Sequence, residues 1–118
     1  MKKGKPKERD VILVQVGFSQ EQNIKWRPAI CLRKMPPNYR EFLVCGLSSN
    51  LNRHVKNFDE KVTPQDDNLK NIQGESVIRL GFLDRVRTES VQGSIGSISV
   101  ERHRRLLKKL SDYLVKKP

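Results

Sequence analysis

Short apolar runs alternate with polar or turn-forming segments along most of the chain. β-Branched and apolar residues concentrate in stretches of five to eight residues, which is typical of strands in a small antiparallel sheet. The predicted strands are residues 11–18, 27–32, 41–47, 58–62 and 76–82, with residues 84–88 continuing the last one after a bend. Pro36 and Pro37 mark a strong turn, and the glycines of residues 91–98 predict a further turn.

The hydrophobic period changes near the end of the chain. Apolar residues recur at helical spacing, and Ser99 before them is a plausible N-cap with Glu101 in the first turn. The spacing, which includes Tyr113, predicts a helix over about residues 99–116 that is packed by Leu106, Leu107, Leu110 and Leu114. Successive short strands and one C-terminal helix favour a mainly β fold, a small barrel or half-barrel capped by that helix.

The length and the charge of the chain limit the interpretation further. A chain of 118 residues is expected to form one domain, with a basic tail over residues 1–9. The net charge is +11, and most of it comes from the two ends: residues 1–10 carry five Lys or Arg against two acids, and residues 101–118 carry seven against two. This charge predicts attraction to a polyanion or an acidic partner, although solvated basic tails are an equally simple interpretation.

Cysteine usage and hydropathy indicate a compartment. Cys31 and Cys45 both lie in apolar runs without metal-ligand spacing, so we expect buried free thiols and a reducing cytosol. No apolar stretch after the charged N-terminus could serve as a signal or a membrane span. The expectation is a soluble cytoplasmic protein without a membrane association, a metal site or a cofactor.

Two strand-like runs carry polar residues at one end. Residues 25–32 read Lys-Trp-Arg-Pro-Ala-Ile-Cys-Leu, and residues 45–50 read Cys-Gly-Leu-Ser-Ser-Asn. If the two strands pair, Arg27 and one or both of Ser48 and Ser49 meet at one edge of the sheet. A guanidinium beside hydroxyls is a phosphate-binding arrangement, which in a basic protein favours RNA chemistry.

Five short motifs occur in an order that resembles the MazF/PemK/Kid group of toxin ribonucleases. They are Asp10-Val11-Ile12-Leu13-Val14, Arg27-Pro28-Ala29, Leu47-Ser48-Ser49, Ser76-Val77-Ile78-Arg79 and Ile95-Gly96-Ser97-Ile98-Ser99. The resemblance covers roughly residues 10–115. It implies an SH3-like barrel and the toxin of a type II toxin–antitoxin module. Such a toxin is a homodimeric, metal-independent endoribonuclease that cleaves single-stranded RNA at specific sequences and is restrained by an acidic antitoxin.

The resemblance also implies catalytic residues. It assigns RNA cleavage to Arg27 and Ser48, and it matches Arg79 to an arginine of the Kid/PemK branch. That branch has an aspartate two residues later, where this chain has Gly81; Asp84 is nearby but fits only with a shifted register.

Two residues are candidates for the general base. The MazF branch often has a glutamate five residues before the first arginine, where this chain has Gln22 with Glu21 beside it. Arginine stays protonated and a serine hydroxyl hardly ionises, so Glu21 or Asp84 is the candidate base.

Several further residues are candidates for binding the substrate: Lys25, Trp26, Ser49, Asn50, Gln22 and His54. Trp26 could stack on a base, but a place in the core or in a dimer interface is as plausible. His54 titrates near neutral pH, yet in an Asn-Arg-His loop it is more often simply exposed.

Each catalytic candidate also has a structural interpretation. Arg27 could pair with an acid at the barrel rim, and Ser48 could be a turn residue. Arg79 could be a solvated strand arginine, while Asp84 could form a salt bridge and Glu21 could be a plain loop acid.

Two other functions remain open at this point. One is a non-catalytic RNA- or protein-binding module on the same barrel, because Gly81 and Gln22 replace acids of the family branches. The other is a CcdB-like gyrase poison, against which Arg27-Pro28 and Ser48 argue, since a poison needs no phosphate site there.

Overall fold

Six strands and one α-helix make up the part of the protein that the structure describes. A computed structural model describes residues 4–16 and 25–117 of the chain. The strands are β1 (Asp10–Val16), β2 (Lys25–Met35), β3 (Glu41–Ser48), β4 (Glu60–Val62), β5 (Ser76–Arg87) and β6 (Val91–Ser97), and the helix is α1 (Val100–Leu114). Short 3-10 helices occupy Leu51–Arg53 and Thr88–Ser90. The prediction of a mainly β fold with a C-terminal helix is confirmed.

All strand pairs are antiparallel, and the spatial order is β4-β5-β3-β2-β1-β6. The loop after β4 reaches the opposite edge strand, where Asn68 and Ser97 exchange two backbone hydrogen bonds of 3.1 and 3.0 Å. Gly96 permits this approach, because a Cβ at that position would overlap the carbonyl oxygen of Asn68. The loop therefore ties the β4 end of the sheet to β6.

Apolar side chains are buried on both faces of the central strands. On β2, Ile30 and Leu32 enter the larger core, which Leu106 and Leu110 of α1 cover. Ala29 and Cys31 alternate with them and enter a smaller cluster on the other face, which we call the second face. The smaller cluster comprises Ile12, Val14, Ala29, Cys31, Phe42 and Val44. The candidate site lies beside this cluster.

The C-terminal helix follows its sequence pattern except at its end. Ser99 caps it by accepting the backbone N–H of Arg102 at 3.1 Å. Leu106 and Leu110 are buried and Leu107 packs against the same core, as predicted. The prediction that Leu114 packs the helix is wrong, since it is 68% exposed. Tyr113 is also 62% exposed, although its ring centroid lies 5.4 Å from that of Phe58.

Residues 91–97 form an edge strand instead of the predicted turn. Val91 and Gly93 pair with Val14 and Leu13 of β1, so the conformation comes from a distant partner and not from local propensity. Within the described residues, no helix is both long and apolar enough to cross a membrane.

Both cysteines are buried free thiols, as the sequence predicts. They lie on neighbouring strands, but Cys31 enters the smaller cluster and Cys45 the larger core. Burial raises the pKa of Cys45 to about 12 and raises the pKa of Cys31 as well. These thiols are therefore inert packing groups.

Candidate functional site

Arg27 and Ser48 lie at the same end of neighbouring strands. Ala29 of β2 pairs with Gly46 of β3, and Arg27 and Ser48 each lie two residues beyond that pair. Directly paired residues and alternate residues along a strand share a face of the sheet. Arg27 and Ser48 are therefore on the second face, at the end of the β2–β3 ladder.

The hydroxyl of Ser48 is held by the turn that follows it. Its Oγ accepts the backbone N–H of Asn50 at 3.1 Å. Asn50 in turn accepts the N–H of Asn52 at 3.1 Å and caps the 3-10 helix Leu51–Arg53. Because Oγ acts as an acceptor in this contact, its own O–H remains available to donate to a ligand.

Arg79 joins the same face from the next strand. It pairs with Gly46, so its side chain is on the side of the sheet that carries Ala29 and Ser48. The Arg79 guanidinium carbon lies 4.6 Å from the centroid of the Phe82 ring. This cation–π contact fixes the arginine at the edge of the smaller cluster.

Strand β5 contains a bulge immediately after Arg79. Arg79 pairs with Gly46, but the next residue of β3, Cys45, pairs with Leu83, so residues 80–82 have no partner on β3. Asp84 then pairs with Val44. In a ladder without the bulge that position would belong to residue 81.

The bulge therefore moves Asp84 to the register position next to Arg79 on the second face. Asp84 is exposed. Its partner Val44 lies two residues from Gly46, the partner of Arg79, so Asp84 and Arg79 are about 7 Å apart along the direction of the strands. Residue 81 faces elsewhere, since a Cβ at Gly81 would lie 3.3 Å from the Phe58 ring, which packs against the larger core. The bulge thus shifts the register of β5 by three residues after Arg79.

A buried carboxylate supports the bulge. Oδ1 of Asp59 accepts the N–H of Leu80 at 2.9 Å, a group that the β3 ladder leaves unpaired. Its Oδ2 accepts the N–H of Val55, also at 2.9 Å, and the residue is only 7% exposed. Nε2 of His54 donates to the carbonyl oxygen of Asp59 at 3.2 Å. His54 thus belongs to the loop that holds the bulge.

The second face carries several cations. Among residues 4–16 and 25–117, Arg27 and Arg79 form no ion pair, whereas Arg85 and Arg87 of β5 both pair with Glu41. Lys25 shares the face of Arg27 by alternation. Within the described part of the chain, the guanidinium groups of Arg27 and Arg79 are therefore left for an external anion.

Three residues of this region were not predicted from the sequence. Val77 of β5 pairs with Ser48 on one side and with Lys61 of β4 on the other. Lys61 is therefore on the second face and adds a cation to it. Gly46 and Phe82 form the surface between Arg79 and Asp84. Only the strand register brings these residues together, because they lie on three different strands.

Not every predicted residue joins the group. Trp26 alternates with Arg27 and is on the opposite face, where it is partly exposed. Ser49 is exposed in the turn after β3. Glu21 and Gln22 lie outside the described residues.

No protein-family model matches this chain, and no curated protein sequence matches it. Across the described part of the chain, no group of three or more His, Cys, Asp and Glu residues could hold a metal ion. The second face thus carries two guanidinium groups and an oriented hydroxyl that could bind a phosphate, with the Asp84 carboxylate further along the same face, beyond Arg79.

Proposed function

We propose that the protein is a metal-independent endoribonuclease of the MazF/PemK/Kid type, built on an SH3-like barrel, that cleaves single-stranded RNA. The observation that supports this most is the three-residue offset in β5, through which Asp84 joins Arg79 on the second face, the face that also carries Arg27 and Ser48. An acid thereby occupies the register position that the family pattern gives to residue 81.

The proposed reaction is an internal transesterification. The RNA 2′-oxygen attacks the adjacent phosphorus, the bond from phosphorus to the 5′-oxygen breaks, and a 2′,3′-cyclic phosphate forms. Arg27 stabilises the charge that develops on the phosphoryl oxygens with its planar fork of donors. Ser48 donates one hydrogen bond to the same phosphate, and the leaving 5′-oxygen takes its proton from solvent.

Asp84 is the proposed general base that accepts the proton of the 2′-hydroxyl. It is exposed to solvent, and one of its oxygens accepts the backbone N–H of Arg85 at 2.7 Å. Its second oxygen is left for the substrate. Arg79 lies between this carboxylate and Ser48 and attracts the phosphodiester backbone, together with Lys25 and Lys61.

The toxin role extends this proposal to partners. A homodimer acting in the cytoplasm would be restrained by an antitoxin segment rich in Asp and Glu that covers the second face and blocks RNA. The cations of that face and the net charge of +11 support such a partner. Binding of the segment is expected to weaken with salt.

A second candidate is a module that binds RNA without cleaving it. The observation in its favour is that, among the described residues, no carboxylate contacts Arg27, Ser48 or Arg79 within hydrogen-bond distance. If Asp84 does not reach the 2′-hydroxyl, the face still binds phosphates but lacks a base.

The test is incubation of the purified protein with one unstructured and one hairpin RNA in excess chelator. We expect cleavage of the unstructured RNA, with 2′,3′-cyclic phosphate and 5′-hydroxyl ends. The same sequence with 2′-O-methyl groups throughout should stay intact, because it lacks the attacking hydroxyl. If the RNA stays intact but is bound, the non-catalytic module is the better proposal. If RNA is neither bound nor cut while gyrase is inhibited, the protein acts as a gyrase poison.

A further inference from the structure

Phe82 is an exposed aromatic ring at the centre of the second face. Its exposed fraction is 57%, which is large for a side chain that gains free energy from burial. The ring lies across Gly46, where an added Cβ would be 3.0 Å from Cδ1 of Phe82. A glycine at this position of β3 therefore gives the ring its place against the backbone.

The charges around this ring are those of the proposed active site. Arg79 lies 4.6 Å from the ring centroid and precedes Phe82 in the bulge, and Asp84 follows it by two residues. The ring therefore lies between a cation suited to a phosphate and a carboxylate suited to a 2′-hydroxyl. A nucleotide that spans these two groups would have its base near the ring.

The bulge accounts for the exposure of Phe82. Residues 80–82 have no partner on β3, so the chain leaves the regular ladder there, and Leu80 enters the larger core while Phe82 stays outside both clusters. A purely structural ring would be expected to contribute to one of the cores. Phe82 instead covers one glycine, has the Arg79 guanidinium over one side of its ring, and presents much of its remaining surface to solvent.

We infer that Phe82 is the stacking platform for one unpaired base of the RNA, next to the phosphate bound by Arg79. This inference rests on the proposed function, and it assigns a base subsite to the same face. Unstacked bases of single strands bind to exposed aromatic rings, whereas bases inside a duplex cannot reach them. Phe82 therefore explains a preference for single-stranded RNA.

The experiment measures binding of a short unstructured RNA carrying 2′-O-methyl groups throughout, which cannot be cleaved. Phe82→Leu keeps an apolar cover on Gly46 but removes the ring, and Phe82→Tyr keeps the ring. We expect Phe82→Leu to raise Kd about tenfold, within the range that base stacking on an aromatic ring contributes. Phe82→Tyr should bind as the wild type does. The ratio between wild type and Phe82→Leu should change little with salt, because stacking is a contact between neutral groups.

Leu83→Ala is the matched control. Leu83 is the next residue, is also partly exposed, and pairs with Cys45, whose side chain enters the larger core. Its truncation should leave Kd unchanged. A second readout uses RNA with 5-iodouridine, which crosslinks on irradiation to a ring stacked on it, and the crosslinked peptide should contain residue 82.

The outcomes separate this inference from the proposed function. If Phe82→Leu binds as tightly as wild type while wild type cleaves RNA, the stacking platform is wrong and the proposed function stands. A crosslink on a peptide that lacks residue 82 has the same meaning. If wild type binds no RNA at all, both fail. If Phe82→Leu weakens binding and Phe82→Tyr restores it, the platform is supported even when wild type cleaves nothing.

Discussion

The second face and the junction between α1 and β4 are both rich in arginine, but their charges have different surroundings. At the junction, Arg102 bridges Glu60 and Asp67 with two contacts of 2.6 Å, and the three side chains are only 14%, 12% and 11% exposed. On the second face, Arg27 and Arg79 form no ion pair within the described residues.

The difference separates two uses of arginine. Glu60 also binds Arg105 at 2.8 Å and Lys109 at 2.9 Å, so one carboxylate collects three cations and ties the helix to β4. Breaking such a largely buried pair from one side costs about 3–5 kcal/mol. An exposed arginine such as Arg27, for which residues 4–16 and 25–117 supply no carboxylate partner, contributes within about 0.5 kcal/mol to stability. We propose that Arg27 serves to bind phosphate and not to stabilise the fold.

The largest effect is expected for Asp84→Asn. An asparagine keeps the shape and can still accept the N–H of Arg85, but it cannot take up a proton. Loss of a general base lowers kcat by about 10²–10⁴. The assay is single-turnover cleavage of an unstructured RNA. Asp112→Asn, which alters an exposed acid paired with Lys108 on α1, is the control and should cleave normally. Normal cleavage by Asp84→Asn would exclude it as the base.

A second substitution sharpens this test. Gly81→Asp, made in the Asp84→Asn protein, restores an acid at the position where the family pattern has one. It should not recover cleavage, because a side chain at residue 81 faces the Phe58 ring and not Arg79. Recovery of cleavage would mean that the register offset in β5 is absent in solution.

The contribution of the ion-pair junction to the free energy of unfolding should be lost at acid pH. Burial alone would raise the pKa of Glu60, but hydrogen bonds from Arg105 and Lys109 outweigh it and lower the pKa from 4.5 to about 2. Because the folded pKa is depressed, the stabilisation is full above about pH 4.5 and is lost as the pH falls toward 2. A shift of this size corresponds to about 3 kcal/mol.

Urea unfolding of wild type and Glu60→Gln at several pH values checks this. The difference in unfolding free energy should be largest near neutral pH and should shrink between about pH 4.5 and pH 2. Acids away from this junction have the same surroundings in both proteins, so the difference reports on the junction around Glu60. A difference that does not vary with pH would contradict the assigned role.

Ser48→Ala should have the smallest effect. One neutral hydrogen bond contributes about 0.5–1.5 kcal/mol, so cleavage should slow by about three- to tenfold. Ser49→Ala removes the neighbouring exposed hydroxyl and is the control. An effect of Ser48→Ala as large as that of Asp84→Asn would assign the serine a role in proton transfer.

The sequence predicts the strands whose apolar residues cluster and misses the one whose residues do not. Strands β2, β3 and β5 follow from their apolar runs, with ends that differ by a few residues. Strand β6 contains Gly93 and Gly96, so its local propensity is that of a turn, and only its pairing with β1 makes it a strand. Helical spacing likewise identifies Leu106 and Leu110 on the packed side of α1, but it does not show where along the helix the packing ends, and Leu114 is exposed.

Some positions in the candidate site could be predicted from the sequence and others could not. Arg27 and Ser48 could be placed together because they flank the ends of two consecutive strands, and such strands usually pair. The positions of Asp84 and Phe82 could not be predicted, since both depend on the bulge after Arg79. That bulge is supported by Asp59, 21 residues before Leu80, and nothing near residue 80 in the sequence indicates it.

The most direct test compares Arg27→Ala and Arg102→Ala in two assays, RNA cleavage and urea unfolding. The account predicts that Arg27→Ala cleaves about 10²–10³ times more slowly with unchanged stability. Arg27→Lys should be nearly as slow, because lysine lacks the planar fork. Arg102→Ala should lose about 3–5 kcal/mol of stability, and its folded fraction should still cleave. If Arg27→Ala cleaves like wild type, or unfolds as readily as Arg102→Ala, the division between substrate-binding and structural arginines is wrong.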